Sequence, residues 1–147
     1  MNKKFAISLL FLFGSATLSA QVKLLPIFSD NMVLQQQTQA PVWGETKPNK
    51  TVEITTSWDK RKYTVQADDQ GKWKTKVETP VAGGPYTMII SDGKPVKLTN
   101  VMIGEVWVCS GQSNMEMQVE GWGKVNNYEQ EKQEANNYPN IRFLLVK

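Results

Sequence analysis

The 147-residue sequence contains no histidine and a single cysteine, Cys109. Without histidine, these residues cannot assemble a Ser-His-Asp triad among themselves, nor a metal site built on imidazole ligands. One cysteine excludes an internal disulfide, and no cluster of Asp and Glu has the spacing of metal ligands. We therefore expect no metal site.

The sequence also lacks an apolar run long enough to cross a bilayer. Its closest candidate lies in residues 1–20, where Asn2-Lys3-Lys4 precedes an apolar stretch that ends in small residues at Ala20. This order is typical of a secretory signal peptide. We predict export to a periplasm or to the extracellular space, without a membrane span.

A strong charge of either sign is absent as well. The formal net charge is +3, and removal of Lys3 and Lys4 with the signal peptide lowers it by two, to +1. Such a balance gives no electrostatic footprint for nucleic acid, so we expect no nucleic-acid partner. The densest basic cluster, residues 60–62, is flanked by Asp59, and we interpret it as a solvated hairpin end rather than a binding patch.

Residues 21–103 contain short strand patterns separated by turns and no helical period. In Lys72–Val77, Trp73 and Val77 alternate with exposed-type lysines, which is typical of a half-buried strand. Two hairpins follow from the turn residues between strands: 51–58 with 61–66, and 86–90 with 96–98. The pattern predicts an antiparallel β-sandwich, either immunoglobulin-like or jelly-roll-like.

Three tryptophans of this region, Trp43, Trp58 and Trp73, lie in strand patterns. An aromatic residue at such a position usually packs in the core or across strands. A platform of exposed tryptophans that binds carbohydrate is the alternative, and the sequence leaves it open.

The pattern changes in the last third of the chain. Residues 106–109 are apolar enough for a buried strand, residues 126–135 suit a helix, and residues 141–146 form a second apolar run. Strand, helix and strand predict a parallel β-α-β unit over residues 104–147. Two parallel strands without covering layers are not a stable domain, so we expect this unit to be the truncated start of a larger α/β domain. Cys109 lies in the first apolar run, where we expect it to be buried as a small hydrophobic residue rather than to act as a nucleophile.

A glycine turn follows the first predicted strand, and a helix start at Asn114 places Ser113 at the carboxyl end of that strand. Two interpretations of Ser113 stay open. Its hydroxyl caps the helix, or it is a nucleophile for acyl transfer whose own backbone N–H holds the oxyanion. A nucleophilic serine needs a base, and a carboxylate near its ordinary pKa is a poor one. The nearby carboxylates are Glu105, Glu116 and Glu120.

Residues 110–116, Ser-Gly-Gln-Ser-Asn-Met-Glu, resemble the nucleophile block of the sialate O-acetylesterase family, exported carbohydrate esterases of the SGNH-hydrolase type. Further blocks resemble the N-terminal region of that family in the same order: 25–35, 41–44, 69–73, 83–86, 101–111 and 140–143. The resemblance covers nearly all of the chain after residue 20.

The resemblance implies an accessory β-sandwich in residues 21–103, followed by the start of an SGNH-type α/β/α hydrolase domain. It implies that Ser113 is the nucleophile that accepts an acetyl group. Gly111 is then the small residue of the turn, and Gln112 and Asn114 frame it. The implied substrate is an O-acetylated sialic acid or a related sugar, with no cofactor. The base histidine of the family and its other oxyanion donors have no counterpart in this sequence, so we expect this chain alone to be inactive.

Two alternatives stay open. One is a deacetylase of another glycan, such as acetylxylan, because nothing in the sequence identifies the sugar. The other is a non-catalytic β-sandwich module that binds carbohydrate, which the lack of histidine favours for this chain by itself. The sequence sets no oligomeric state.

Overall fold

A computed structural model describes residues 21–123 and 125–146, so the predicted signal peptide in residues 1–20 lies outside the described residues. The described part contains eight strands and two helices. Their bounds are β1 Lys23–Leu24, β2 Val33–Gln35, β3 Gln39–Glu45, β4 Thr51–Thr56, β5 Lys62–Gln66, β6 Lys72–Glu78, β7 Gly83–Ser91, β8 Pro95–Gly104, α1 Ser113–Glu116 and α2 Tyr128–Ala135. Within these residues, no helix is long and apolar enough to cross a membrane.

The strands form a three-stranded sheet, in the order β1-β3-β6, and a five-stranded sheet, in the order β2-β8-β7-β4-β5. Apolar side chains from both sheets meet in one core. Its fully buried aliphatic members are Val42, Val52, Ile54, Val77, Met88, Ile90 and Val101. The mainly β architecture predicted for residues 21–103 is confirmed.

Strand patterns that alternate along the sequence alternate in burial in the structure. In β6, Trp73 and Val77 are buried, whereas the three lysines between and beside them are exposed. Both predicted hairpins form, because β4 pairs with β5 and β7 pairs with β8 in antiparallel registers. The period-two pattern therefore assigns both the strand and its buried face correctly.

The purely antiparallel sandwich is a wrong prediction, because β2 pairs with β8 in parallel. The register joins Val33 to Met102 and Gln35 to Gly104, which makes the larger sheet mixed. Parallel neighbours need a long crossover connection. Here the chain passes through both sheets between β2 and β8, which supplies it.

Two glycines in the blocks that carry the family resemblance are fixed by close packing. A Cβ on Gly44 would lie 2.8 Å from the Trp73 ring and 2.7 Å from the carbonyl oxygen of Lys23. Gly71 has φ +80°, and a Cβ there would lie 2.2 Å from the carbonyl oxygen of Thr46. A larger residue at either position would collide with backbone, and Gly44 in addition leaves the space that the Trp73 ring occupies in the core.

The last third of the described chain contains one of the three elements predicted for it. Helix α2 confirms the helix predicted in residues 126–135. Residues 106–109 and 141–146 form no strand, and their apolar side chains are exposed, up to 92% for Val108 and 93% for Phe143. Both strand predictions are wrong for this chain, because a parallel pair is stable only with neighbouring strands and covering helices, which the described residues do not provide.

Candidate active site

Ser113 is the first residue of α1, and the position before it, the N-cap, is Gln112. No side chain caps this helix, and the Ser113 hydroxyl makes no hydrogen bond within the described residues. Ser113 is also exposed. The interpretation of Ser113 as a helix cap is therefore wrong, and its hydroxyl is free to react.

The turn before Ser113 is tight because of a close side-chain approach. A Cβ on Gly111 would lie 3.1 Å from Cγ of Met115, a contact tighter than side chains ordinarily make. The N–H of Met115 donates to the carbonyl of Gln112 at 2.9 Å, which closes the turn. The predicted role of Gly111 as the small residue of the turn fits this geometry.

Ser113 lines an open depression of about 380 Å³. All the lining residues come from one short stretch, Ser110, Gly111, Gln112, Ser113, Asn114 and Met115. The turn thus brings together the four predicted site residues at 111–114, but no side chain from the sandwich joins them. Ligand sites usually enclose most of their ligand, so this open depression by itself is not a complete site.

None of the three carboxylates near the turn is arranged as a base. Both carboxylate oxygens of Glu105 accept hydrogen bonds, from Gln35 Nε2 at 3.0 Å and from Gln36 Nε2 at 2.6 Å. These bonds hold the pKa of Glu105 below its ordinary value, which makes it a weaker base still. Glu120 pairs with Lys132 at 2.9 Å, and Glu116 is exposed on α1.

Cys109 is exposed, so its predicted burial in an apolar strand is wrong. Exposure follows from the absence of that strand, since the run that contains Cys109 has no packing partner among the described residues. With no histidine in the sequence, the thiol has no imidazole to activate it. Among the described residues, no group of three His, Cys, Asp or Glu side chains could hold a metal ion.

The three sandwich tryptophans pack in the sandwich. The Trp43 ring meets Phe28 edge-on, with centroids 4.6 Å apart, and Trp73 is 3% exposed. Trp58 Nε1 donates to the carbonyl of Glu78 at 2.8 Å, and its ring contacts Tyr86. The packing interpretation is confirmed, and a platform made of these three rings is not present.

The basic cluster at residues 60–62 lies at the turn between β4 and β5 and includes the first residue of β5, and all three residues are exposed. Arg61 pairs with Glu78 and Asp59, and Lys62 pairs with Glu53 at 3.0 Å. Because acidic partners neutralise these two cations, the cluster is the solvated hairpin end that the sequence predicts.

The sequence is similar to that of known enzymes over about four fifths of its length. It is 28% identical over 130 residues to the sialate O-acetylesterase of Mus musculus, and 28% identical over 128 residues to that of Homo sapiens. The chain is thus similar to sialate O-acetylesterases over most of its length. The mouse match covers 81% of this chain, so the matched range spans position 113 wherever it begins. The chain spans about a quarter of the length of these curated relatives, 24% in both cases.

A solved structure agrees with this relationship. A carbohydrate acetylesterase from Xanthomonas citri is similar with a TM-score of 0.61 and 35% sequence identity, over 67% of this chain and 22% of that one. No family model matches the sequence. The resemblance to sialate O-acetylesterases predicted from the motif blocks is confirmed by these relatives.

Sequence reasoning missed two contacts that join the region after β8, which contains Ser113, to the sandwich. One is the set of hydrogen bonds of Glu105 with Gln35 and Gln36, and the other is the attachment of Arg142 to Asn100. The only signal in the sequence was that Gln35, Glu105 and Arg142 fall inside blocks that resemble the sialate O-acetylesterases. The blocks do not reveal which side chains meet.

Proposed function

We propose that this chain supplies the serine nucleophile of a carbohydrate O-acetylesterase that acts on O-acetylated sialic acid or a related sugar. The observation that carries the proposal is the match to sialate O-acetylesterases over a stretch that includes Ser113. The exposed, unbonded hydroxyl of Ser113 supports it, because an acyl-transfer nucleophile must reach its substrate.

In the proposed reaction, Ser113 Oγ attacks the acetyl carbonyl carbon and a base takes the hydroxyl proton. The bond from the acetyl carbon to the sugar oxygen breaks, and the sugar hydroxyl leaves with that proton. Water then cleaves the acetyl-serine ester, releases acetate and restores Ser113. The Ser113 N–H serves as one oxyanion donor, while Gly111, Gln112 and Asn114 hold the turn.

The base is proposed to come from residues outside this sequence, since the sequence contains no histidine. The reading frame in the DNA beyond Lys147 tests this directly. A continuing frame that encodes a histidine with a nearby acidic residue supports the proposal. A stop codon followed by unrelated sequence contradicts it and favours a binding module.

A graft tests the role of Ser113. Residues 21–146 of this chain would replace the matching stretch of the mouse sialate O-acetylesterase, and acetate release from 9-O-acetylated sialic acid would be measured. We expect activity that Ser113→Ala abolishes and that the control Ser29→Ala, at an exposed serine of the sandwich, retains. Activity that survives Ser113→Ala, or a folded graft without activity, counts against the proposal.

Another acetylated glycan is the second candidate substrate, favoured by the name of the Xanthomonas citri structure, which specifies carbohydrate and not sialic acid. Acetate release from 9-O-acetylated sialic acid and from acetylated xylan fragments, measured with the longer product of the same frame, separates the two. A clear preference for xylan would overturn the sialate assignment.

Export is part of the proposal and rests on the signal-like residues 1–20. In a bacterial host, we expect the processed chain in the periplasm or medium, with its N-terminus close to Gln21. Intact mass and N-terminal sequencing of the fractions measure this, and an unprocessed chain in the cytoplasm contradicts it.

A further inference from the structure

The chain leaves the sandwich through a set of four hydrogen bonds centred on Glu105, the residue after β8. The Glu105 carboxylate accepts from Gln35 Nε2 and Gln36 Nε2. The remaining oxygens of the two amides are used as well: Gln35 Oε1 accepts the N–H of Val106 at 2.8 Å, and Gln36 Oε1 accepts the N–H of Ala82 at 2.8 Å. Each amide thus bridges two partners, which fixes the direction in which the chain continues toward Ser113.

The chain returns to the sandwich at Arg142. Its guanidinium donates to the carbonyl of Asn100 at 2.5 Å, to the Asn100 side-chain oxygen at 3.0 Å and to the carbonyl of Met32 at 3.4 Å. The Asn100 amide in turn donates to the Asn31 side-chain oxygen at 2.7 Å. Within residues 136–146, Arg142 alone is half-buried while its neighbours are exposed, so this contact holds the tail against the sandwich.

Both contacts use the same pair of strands, β2 and β8, at opposite ends. Met32 immediately precedes β2 and Asn100 lies within β8, so Arg142 binds where the pairing begins. Gln35 pairs with Gly104 at the other end, beside Glu105. We propose that Glu105 and Arg142 are positioning residues that fix the two ends of segment 106–141, which carries Ser113, on the parallel pair β2–β8; this rests on the proposed function.

Fixing both ends has a chemical purpose. Acyl transfer depends on holding the nucleophile close to the angle and distance of attack, and small displacements reduce the rate steeply. A nucleophile on an irregular segment needs support from rigid elements. The pair β2–β8 is such an element, because Leu34 of β2 and Val101 and Ile103 of β8 are buried in the core of the sandwich.

Pulsed electron paramagnetic resonance distances test the proposal on this chain. Cys109 is the only cysteine and is exposed, so it takes one spin label, and Lys74→Cys on β6 takes the other. This labelled pair reports on the outgoing end of the segment. A second labelled pair reports on the return end of the segment. In this variant Cys109→Ser removes the first label, Gln133→Cys on α2 takes a label instead, and the label at position 74 is kept. We expect a narrow distance distribution for each pair in the otherwise unchanged chain.

The decisive variants exchange hydrogen-bond polarity without loss of volume. Glu105→Gln turns one acceptor into a donor that faces the Gln36 amide, so the distribution between the labels at positions 109 and 74 should broaden. Adding Gln36→Glu restores an acceptor for both the new amide at position 105 and the Ala82 N–H, and should narrow the distribution again. Glu131→Gln, which makes the same chemical change on an exposed α2 residue, is the matched control and should change nothing.

Arg142→Ala should broaden the distribution between the labels at positions 133 and 74. Arg142→Lys should not narrow it again, because one ammonium does not reproduce the fork of donors. The proposal is overturned if Glu105→Gln leaves the first distribution narrow, if Gln36→Glu fails to rescue it, or if Arg142→Ala leaves the second unchanged. The thermal transition of each variant shows whether the sandwich is folded. If Glu105→Gln does not fold, the double variant Glu105→Gln with Gln36→Glu is measured instead, and if Arg142→Ala does not fold, Asn100→Ala takes its place.

These distances do not depend on catalysis, so their failure differs from failure of the proposed function. In an active graft, Arg142→Ala and Glu105→Gln should each lower kcat about 10- to 100-fold, with a smaller change in KM. Narrow distributions with no acetate release would leave the positioning role standing and reject the nucleophile. Acetate release that depends on Ser113, together with broad distance distributions, would support the nucleophile and reject the positioning role.

Discussion

Residues 21–104 and residues 105–146 contain similar apolar side chains in very different surroundings. Trp73 in β6 is 3% exposed, whereas Trp107, in the apolar run after β8, is 82% exposed. Val42 is fully buried and Val108 is 92% exposed. Apolar sequence alone does not produce burial, because burial needs a second apolar surface to pack against. The sandwich has two sheets that bury each other, and the second region has no such partner within the described residues.

The sharpest test of this comparison substitutes one tryptophan in each region. Trp73→Ala leaves a cavity in the core and should reduce the free energy of unfolding by about 3–5 kcal/mol. Trp107→Ala removes a side chain that packs little, and should change it by no more than about 0.5 kcal/mol. Urea denaturation followed by circular dichroism measures both. Equal losses would mean that the second region is packed as tightly as the sandwich.

Two glycine substitutions compare how tightly the backbone is packed inside the sandwich and at its boundary with the second region. Gly71→Ala places a Cβ against the carbonyl of Thr46 at φ +80°, and should destabilise the sandwich by about 1–3 kcal/mol. Gly104→Ala, at the boundary of the two regions, meets nothing within 4 Å and should be close to neutral. Thermal unfolding of the two variants checks the difference. A neutral Gly71→Ala would contradict the close approach.

Acid should weaken the folded chain. The pKa of Asp30 is lowered by hydrogen bonds from the backbone and hydroxyl of Thr99, and that of Glu105 by Gln35 and Gln36. For Asp59, desolvation raises the pKa, but hydrogen bonds from Thr56, the Arg61 backbone and Tyr63 outweigh it and leave the pKa lowered. Carboxyls with lowered folded pKa values give their full stabilisation above the unfolded values, near 4, and lose it as pH falls through the folded values.

The urea concentration at the midpoint of unfolding should therefore fall from pH 7 to pH 4 and again to pH 3. We expect this fall to be smaller than the one that Trp73→Ala or Gly71→Ala causes at pH 7. Asp59→Asn should flatten this decline, because it removes one of the carboxyls with a lowered pKa. A midpoint that rises on acidification would show that the signs assigned to these groups are wrong.

The smallest expected effect concerns catalysis by this chain. Hydrolysis of p-nitrophenyl acetate should not exceed the buffer rate, because the turn at Ser113 has no base. Ser113→Ala and Ser110→Ala should match the parent chain in rate, and differ from it by no more than about 0.5 kcal/mol in stability. Turnover that disappears in Ser113→Ala would show that an unconventional base acts in the second region.

Local patterns in the sequence predicted much of the sandwich. Alternation in β6 identified Trp73 and Val77 as buried, and the turn at Asp92-Gly93 identified the hairpin of β7 and β8. The parallel pairing of β2 with β8 was not predictable in this way. It is set by packing between residues far apart in the chain, and no local period encodes a partner.

In the candidate site too, features set by neighbouring residues were predicted, and features set by distant residues were not. The turn before Ser113 follows from neighbouring residues, so the sequence predicted it, whereas the role of Gly111 came from the family resemblance and stays a prediction. The strand predicted at residues 106–109 failed because its burial depends on other strands. The attachments of Glu105 and Arg142 were missed because each joins distant parts of the chain. The Arg142 side chain and the Met32 carbonyl, for example, are 110 positions apart.

The parallel pair β2–β8 also has a consequence for the order of folding. The hydrogen bond between Asp30 and Thr99 beside it spans 69 positions. Contacts of such high contact order form slowly, because a long loop must close before they are made. Strand β2 must therefore wait, unpaired at its edge, until β8 has been synthesised and has reached it. The segment that carries Ser113 follows β8 directly, so the strand pair that holds both of its ends cannot form until the residues just before Ser113 have been synthesised.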